Sequence, residues 1–152
     1  MPATIHATAV LVGARAVLIR GPSGAGKSRL ALDLLAAAST GQLRFARLVG
    51  DDRVHLEKIG GRLLVRPAAT LAGLIEQRGA GIRHLPYEPC AVIGLVVDLA
   101  AKDAARLPEQ DQIELEGVTL PRLAVASEVP ALPWLLALLT LRTAGPNHEK
   151  GP

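Results

Sequence analysis

Residues 21–28 read Gly-Pro-Ser-Gly-Ala-Gly-Lys-Ser, which places glycines, a lysine and a serine at the spacing G-x-x-x-x-G-K-[ST]. These residue types at this spacing suit a polyphosphate. Gly21, Gly24 and Gly26 put no side chain in the way of phosphate oxygens and admit the positive φ angles that turn successive N–H groups inward. Lys27 adds a mobile cation and Ser28 an oxygen for Mg²⁺. Both open a helix whose unpaired N–H groups and positive dipole end favour an anion. With Pro22, Ser23 and Ala25 completing the loop, residues 21–28 are expected to hold the phosphates of ATP.

A phosphate cradle needs companions before it can transfer anything. Mg²⁺ requires an anionic anchor, and a hydroxyl nucleophile requires a proton acceptor. Leu48-Val49-Gly50-Asp51-Asp52 offers both, an apolar run ending on two adjacent carboxylates; a solvated acidic turn is the competing reading. His6 lies in an apolar stretch, where the type reads either as a core or edge histidine or as a member of the site. Glu76 and Arg78 open the glycine-rich segment 76–81, as ligands and phosphate-binding groups often do, although the two could equally form an exposed ion pair.

The elements that must position these groups follow from pattern. Thr4–Leu11 and Ala16–Arg20 read as strands joined through Gly13, and Arg29–Ala38 reads as a helix stopped by Ser39-Thr40-Gly41. Leu43–Val49 is an apolar strand, and Val54–Lys58 with Arg62–Val65 form a hairpin about Gly60-Gly61. Ala69–Ile75 is ambiguous between helix and strand. Ala91–Asp98 is a buried strand, Ile113–Leu115 and Val118–Leu120 a further hairpin, and about Trp134–Thr143 a last helix. The expected fold is α/β, a mixed-direction sheet with few helices. A single domain over 1–144 and a disordered tail over 145–152 complete the expectation.

Composition narrows the function. Hydrophobic residues make up 49% of the 152, so the chain can bury one core without a disulfide framework, which the lone Cys90 excludes. The net charge of +3 is scattered, and Phe45, Tyr87 and Trp134 are too few to form base-stacking platforms, which argues against nucleic acid. The apolar stretch Ala131–Leu141 is too short to span a bilayer, and no basic and apolar leader opens the sequence; a soluble cytoplasmic protein is expected.

Taken in order, His6, the loop 21–28, Leu48–Asp52 and Ile75-Glu76-Gln77-Arg78-Gly79-Ala80-Gly81-Ile82 resemble the catalytic domain of bacterial HPr kinase/phosphorylase, a fold related to phosphoenolpyruvate carboxykinase. The likeness covers about residues 4–126 and takes the short form found in alphaproteobacteria, without the family's amino-terminal domain. The resemblance implies an ATP- and Mg²⁺-dependent serine kinase acting on an HPr-like phosphocarrier. Within it Lys27 contacts phosphates, Ser28 and Glu76 hold Mg²⁺, and Asp52 is the general base beside Asp51. His6 orients that base, and Arg106 matches an active-site arginine. The family's hexamer-forming carboxy-terminal helix is shortened in this sequence, which leaves a homo-oligomer as one of the open assembly states. Two departures stand out: Arg29 follows the loop where the family has glutamate, and Ala126–Trp134 lacks the arginines of the segment linked to dephosphorylation. Phosphorylase activity is therefore not expected, and an ATP-binding regulatory module with little transfer remains the alternative. A small-molecule kinase of the carboxykinase branch is a third reading.

Overall fold

The computed structural model describes residues 3–149. Its strands are β1 (Thr4–His6), β2 (Thr8–Val12), β3 (Arg15–Arg20), β4 (Ala46–Gly50), β5 (Arg53–Ile59), β6 (Arg62–Pro67), β7 (Leu74–Gln77), β8 (Gly81–His84), β9 (Ala91–Leu99), β10 (Glu109–Leu115) and β11 (Val118–Val125). Helix α1 spans Lys27–Ser39 and helix α2 spans Ala131–Glu149, with one 3₁₀ turn at Ala69–Leu71. The mixed sheet with few helices is the architecture expected from the pattern.

Nine strands form one sheet that branches at β9. On one side β9 runs parallel to β3, which continues antiparallel through β2 to β4. On the other side its first residues pair with β6 and its last with β11. Beyond β6 lie β5 and then β1, and beyond β11 lies β10. The remaining hairpin, β7–β8, stands apart.

Alternation along these strands sends side chains to two cores. Val10, Val17, Ile19, Leu48, Val97 and Leu123 pack with Leu30 and Leu34 of α1 and Leu135 of α2. Ala9, Ala16, Leu18, Val49, Val96 and Leu120 take the opposite face and pack with Val54 of β5 and with Leu63 and Val65 of β6. Gly94 is where β9 changes phase: Ile93 belongs to the second core and Leu95 to the first, and the register with β3 skips Gly94 between Ala16 and Val17. A Cβ on Gly94 would lie 2.7 Å from the Cβ of Arg15, so only glycine fits this bulge.

Helix α1 buries Leu30, Ala31, Leu34 and Ala37 at helical spacing, and burial of a leucine such as Leu34 contributes about 1.5–3 kcal/mol. Its end is set by Gly41 at φ 87°, which lets the Gln42 amide donate to the Ala37 carbonyl at 2.8 Å. Several boundaries differ from the sequence reading. The first expected strand is split at Ala7 into β1 and β2, and the ambiguous 69–75 becomes a 3₁₀ turn followed by β7. Helix α2 starts before Pro133 because a first-turn residue needs no amide partner. It also runs through 145–149, where a tail was expected; residues 150–152 lie outside the described residues. Cys90 is free and half-buried.

Candidate active site

The glycine loop connects β3 to α1. Gly24 and Gly26 adopt φ of 83° and 99°, a region closed to most side chains, and the Ala25 amide donates to the Pro22 carbonyl at 3.0 Å to fold the loop back. Gly21 lies so close to the end of β9 that a Cβ there would come within 3.0 Å of the Leu99 carbonyl oxygen. Lys27 is buried, and its ammonium donates to the carbonyls of Gly21 at 2.8 Å and Pro22 at 3.1 Å, which holds the charge across the loop.

The aspartate pair faces this loop. The Ser28 hydroxyl donates to Asp51 Oδ1 at 2.7 Å, Thr8 Oγ1 donates to the same oxygen at 2.8 Å, and the Glu76 amide donates to Oδ2 at 3.3 Å. Asp51 is 5% exposed, so both oxygens are occupied inside the protein. Asp52 differs in each respect. Its backbone has φ 71°, its side chain is 61% exposed, and Oδ1 meets His6 Nε2 at 2.8 Å. Aspartate tolerates such a backbone better than most residues. Gly50, immediately before the pair, has no room for a Cβ, which would approach Val54 Cγ1 to 2.8 Å.

These groups open on one cleft of about 1140 Å³. Its inner end is lined by His6, Thr8, Lys27, Ser28, Asp52 and Glu76, together with Ser23, Gly24 and Gly26 of the loop. Its outer end runs between the α1 residues Arg29, Leu32 and Leu35 and the β7–β8 hairpin. The expected catalytic and metal residues line this cleft or, like Asp51, bond to its lining, apart from Arg106. That arginine is exposed in the stretch between β9 and β10 and is not part of the cleft lining. The segment 76–81 is not a free loop: Glu76 pairs with Ile82 and Gln77 with Gly81 across the hairpin, and the Ala80 amide donates to the Gln77 carbonyl at 2.9 Å.

Two features were missed in the sequence. Thr8 is one; its place two residues after His6, hence on the same side of an extended chain, was the available signal. The other lies behind the loop. Arg20, the residue before Gly21, makes a two-pronged contact with Asp98 at 2.7 and 2.8 Å, and Arg122 Nε reaches the same carboxylate at 2.6 Å. Arg122 further holds Asp103 at 3.0 and 3.1 Å and Asp111 at 3.2 Å. Burial pushes the Asp98 carboxyl up, but hydrogen bonds from Arg20 and Arg122 and their charges outweigh it and hold its pKa below the usual carboxylate range. Hydrogen bonds from Arg122 likewise lower Asp103, and these carboxylates raise Arg122 in turn.

The oxygen donors at the inner end suit a hard divalent cation. Ser28 Oγ lies against a buried carboxylate, and Glu76 stands exposed on the cleft wall. A Mg²⁺ bound with a nucleotide usually keeps waters and phosphate oxygens among its ligands, so a pair or trio of protein oxygens fits it. Among the described residues no cluster of three or more His, Cys, Asp or Glu side chains is arranged to hold a metal alone.

Fold and cleft together define a mixed-sheet α/β domain of the strand, glycine loop and helix type, with an acidic turn facing the loop. The profile of the HPr Serine kinase C-terminal domain matches residues 2–126, and the chain belongs to that family. It is 32% identical over 142 residues to an HPr kinase/phosphorylase of Streptococcus thermophilus, covering 80% of this chain and 41% of the relative. It is 36% identical over 160 residues to the HPr kinase/phosphorylase of Caldicellulosiruptor bescii, covering 97% of this chain and 48% of the relative. The chain thus spans less than half the length of these relatives. Among solved structures it resembles the Hpr(Ser) kinase/phosphatase from Coxiella burnetii, with a TM-score of 0.74 and 24% identity over 96% of this chain and 98% of that one. That likeness speaks to the fold.

Proposed function

We propose that this chain is an ATP- and Mg²⁺-dependent protein serine kinase whose acceptor is an HPr-like phosphocarrier protein. The observation that carries the reading is the convergence of Lys27, Ser28, Asp52, His6 and Glu76 on one cleft, with Asp51 bonded to Ser28 behind it. Family membership supports the substrate class.

In this mechanism the loop amides and Lys27 bind and orient the ATP phosphates, with Ser28 and Glu76 as the oxygens that would hold Mg²⁺ and Asp51 fixing the Ser28 hydroxyl from behind. The cation, when bound, supplies charge neutralisation to the phosphoryl group in transfer. Asp52 Oδ1 is fixed by His6, which leaves Oδ2 to accept the proton of the acceptor serine. A bond forms between the serine oxygen and the γ phosphorus as the bond to the β–γ bridging oxygen breaks, and ADP departs. Lys27 stabilises the negative charge spread over the transferring group.

The same reading assigns the forward reaction only, since the turn between β11 and α2, around Ala126–Pro130, offers no arginine to a phosphate. It also places the kinase in the cytoplasm; among the described residues no helix is long and apolar enough to cross a membrane. Arg29 favours a second reading, a nucleotide-binding regulatory module. It is exposed on the cleft wall beside Ser28, 3.7 Å from Asp33.

One assay decides between the two. The protein is incubated with Mg²⁺, γ-labelled ATP and an HPr-like phosphocarrier, with Lys27→Ala as control. The kinase reading expects phosphoserine on the carrier and its loss by at least ~10²-fold in the control. Nucleotide binding without carrier phosphorylation would replace the kinase reading with the module.

A further inference from the structure

Thr8 is fully buried in a strand whose neighbours Ala7, Ala9 and Val10 are apolar and equally buried. Valine would fill the same space at a β-branched strand position, so what threonine adds is the hydroxyl. That hydroxyl is used twice: it donates to Asp51 Oδ1 at 2.8 Å and accepts the Asp52 amide at 3.4 Å. Its neighbours complete the grip on Asp52. The Ala7 amide donates to the Asp52 carbonyl at 3.2 Å, and His6 Nε2 meets Asp52 Oδ1 at 2.8 Å.

Three consecutive residues, His6, Ala7 and Thr8, thus fix the side chain, carbonyl and amide of a residue held at φ 71°. A non-glycine residue keeps such a backbone where its surroundings over-determine it. Among the described residues, Thr8 is the one side chain hydrogen-bonded to both aspartates. We propose that Thr8 is a positioning residue for the aspartate pair: its hydroxyl ties the Asp51 carboxylate to the Asp52 backbone and so sets the angle at which Asp52 meets the acceptor hydroxyl. The proposal rests on the kinase reading for its catalytic consequence. Its structural content, one hydroxyl ordering two acidic residues, stands on these distances.

The test compares Thr8→Val, which keeps shape and loses the hydroxyl, with Thr8→Ser, which keeps the hydroxyl, in the full chain. Misplacing a reacting group by a fraction of an ångström to an ångström costs up to about 100-fold in rate, so Thr8→Val is expected to lower kcat about 10- to 100-fold. KM for ATP should change less than about twofold, because the hydroxyl touches none of the loop residues 21–27. Thr8→Ser should retain kcat to within about threefold. In a background of Asp52→Asn, the Thr8→Val change should have little further effect on kcat, since both act through one group. Amide hydrogen exchange gives a readout independent of activity: the Asp52 amide should exchange at least ~10-fold faster in Thr8→Val and near the parent rate in Thr8→Ser.

If Thr8→Val folds poorly, Thr8→Ser against Thr8→Ala is read by the same exchange measurement. An unchanged kcat in Thr8→Val, or a full additional loss in the Asp52→Asn background, overturns the positioning role. An unchanged Asp52 amide overturns the structural coupling. A parent protein that transfers no phosphate to the carrier would end the kinase reading, while the exchange comparison still decides whether Thr8 orders the pair.

Discussion

Asp51 and Asp52 are adjacent in the chain and opposite in environment, so one substitution made at each separates stability from chemistry. Asp51 is 5% exposed and accepts three hydrogen bonds, two at Oδ1 and one at Oδ2. Asparagine has one acceptor oxygen and one donor nitrogen. If its oxygen stays with Thr8 and Ser28, its nitrogen faces the Glu76 amide, donor against donor; the flipped amide sets the nitrogen against both hydroxyls. Weakened charge-assisted bonds and a buried donor left unpaired should cost Asp51→Asn about 2–4 kcal/mol. Asp52 has a 61% exposed side chain and one side-chain partner, His6, which asparagine can still meet. Asp52→Asn should therefore change stability by no more than ~0.5 kcal/mol. Without its proton acceptor, phosphoryl transfer should fall by about 10²–10⁴. Urea unfolding followed by circular dichroism gives the first quantity and steady-state transfer to the carrier the second. An Asp51→Asn variant as stable as the parent, or an Asp52→Asn variant that still transfers at a tenth of the parent rate, would refute this division of labour.

Two further perturbations test the frame around the pair. Gly50→Ala would drive a Cβ to 2.8 Å from Val54 Cγ1 and 3.1 Å from Pro67 Cα, so a loss of about 1–3 kcal/mol in urea unfolding is expected together with impaired transfer. Gly61→Ala, which meets nothing within 4 Å, should be neutral to within ~0.5 kcal/mol and serves as its control. At Asp98 the carboxyl is depressed by Arg20 and Arg122 against the opposing effect of burial. A depressed folded pKa contributes stability that is present above the unfolded value and is lost as pH falls through the folded one. The stability gap between parent and Asp98→Asn should therefore be constant from about pH 6 to 8 and close below about pH 4. Urea midpoints at these pH values check the sign; a gap that widens in acid would contradict it.

What could be read in the sequence is what chemistry forces into a local pattern. The loop 21–28 was legible because phosphate approach demands glycine at fixed spacing, and β3, β9 and α1 because burial imposes their periods. Strand β8 was not, since Gly81–His84 are all exposed and carry no alternation. Thr8 escaped because threonine is at home in any strand, and its role depends on residues 43 and 44 positions away. The Arg20–Asp98–Arg122 network is equally non-local: its members reach across 78 and 24 residues. It is nevertheless the end of a visible alternation, because Arg20 continues the row Ala16–Leu18 and Asp98 follows Val96 on the face away from the helices. Arg106 shows the reverse case, a residue singled out by resemblance that the fold leaves outside the cleft lining.

The position of the site follows from how the sheet divides. Strands β2 and β4 belong to the part packed on α1, whereas β1 and β5 belong to the part beyond β6. The chain must therefore cross from one part to the other twice, once at Ala7 between β1 and β2 and once at Asp51-Asp52 between β4 and β5. These crossings lie side by side, tied by the Ala7 amide to the Asp52 carbonyl at 3.2 Å. The turn at each crossing brings the side chains of His6, Thr8, Asp51 and Asp52 together, while His6 stays paired with Arg53 and Thr8 with Ile19. It also explains the two backbone peculiarities there, the positive φ of Asp52 and the crowded Gly50. The acids reach the glycine loop because the fold needs a sharp turn at that point. Changes that relax the turn, Gly50→Ala and Thr8→Val among them, should therefore damage transfer even when no reacting atom is touched.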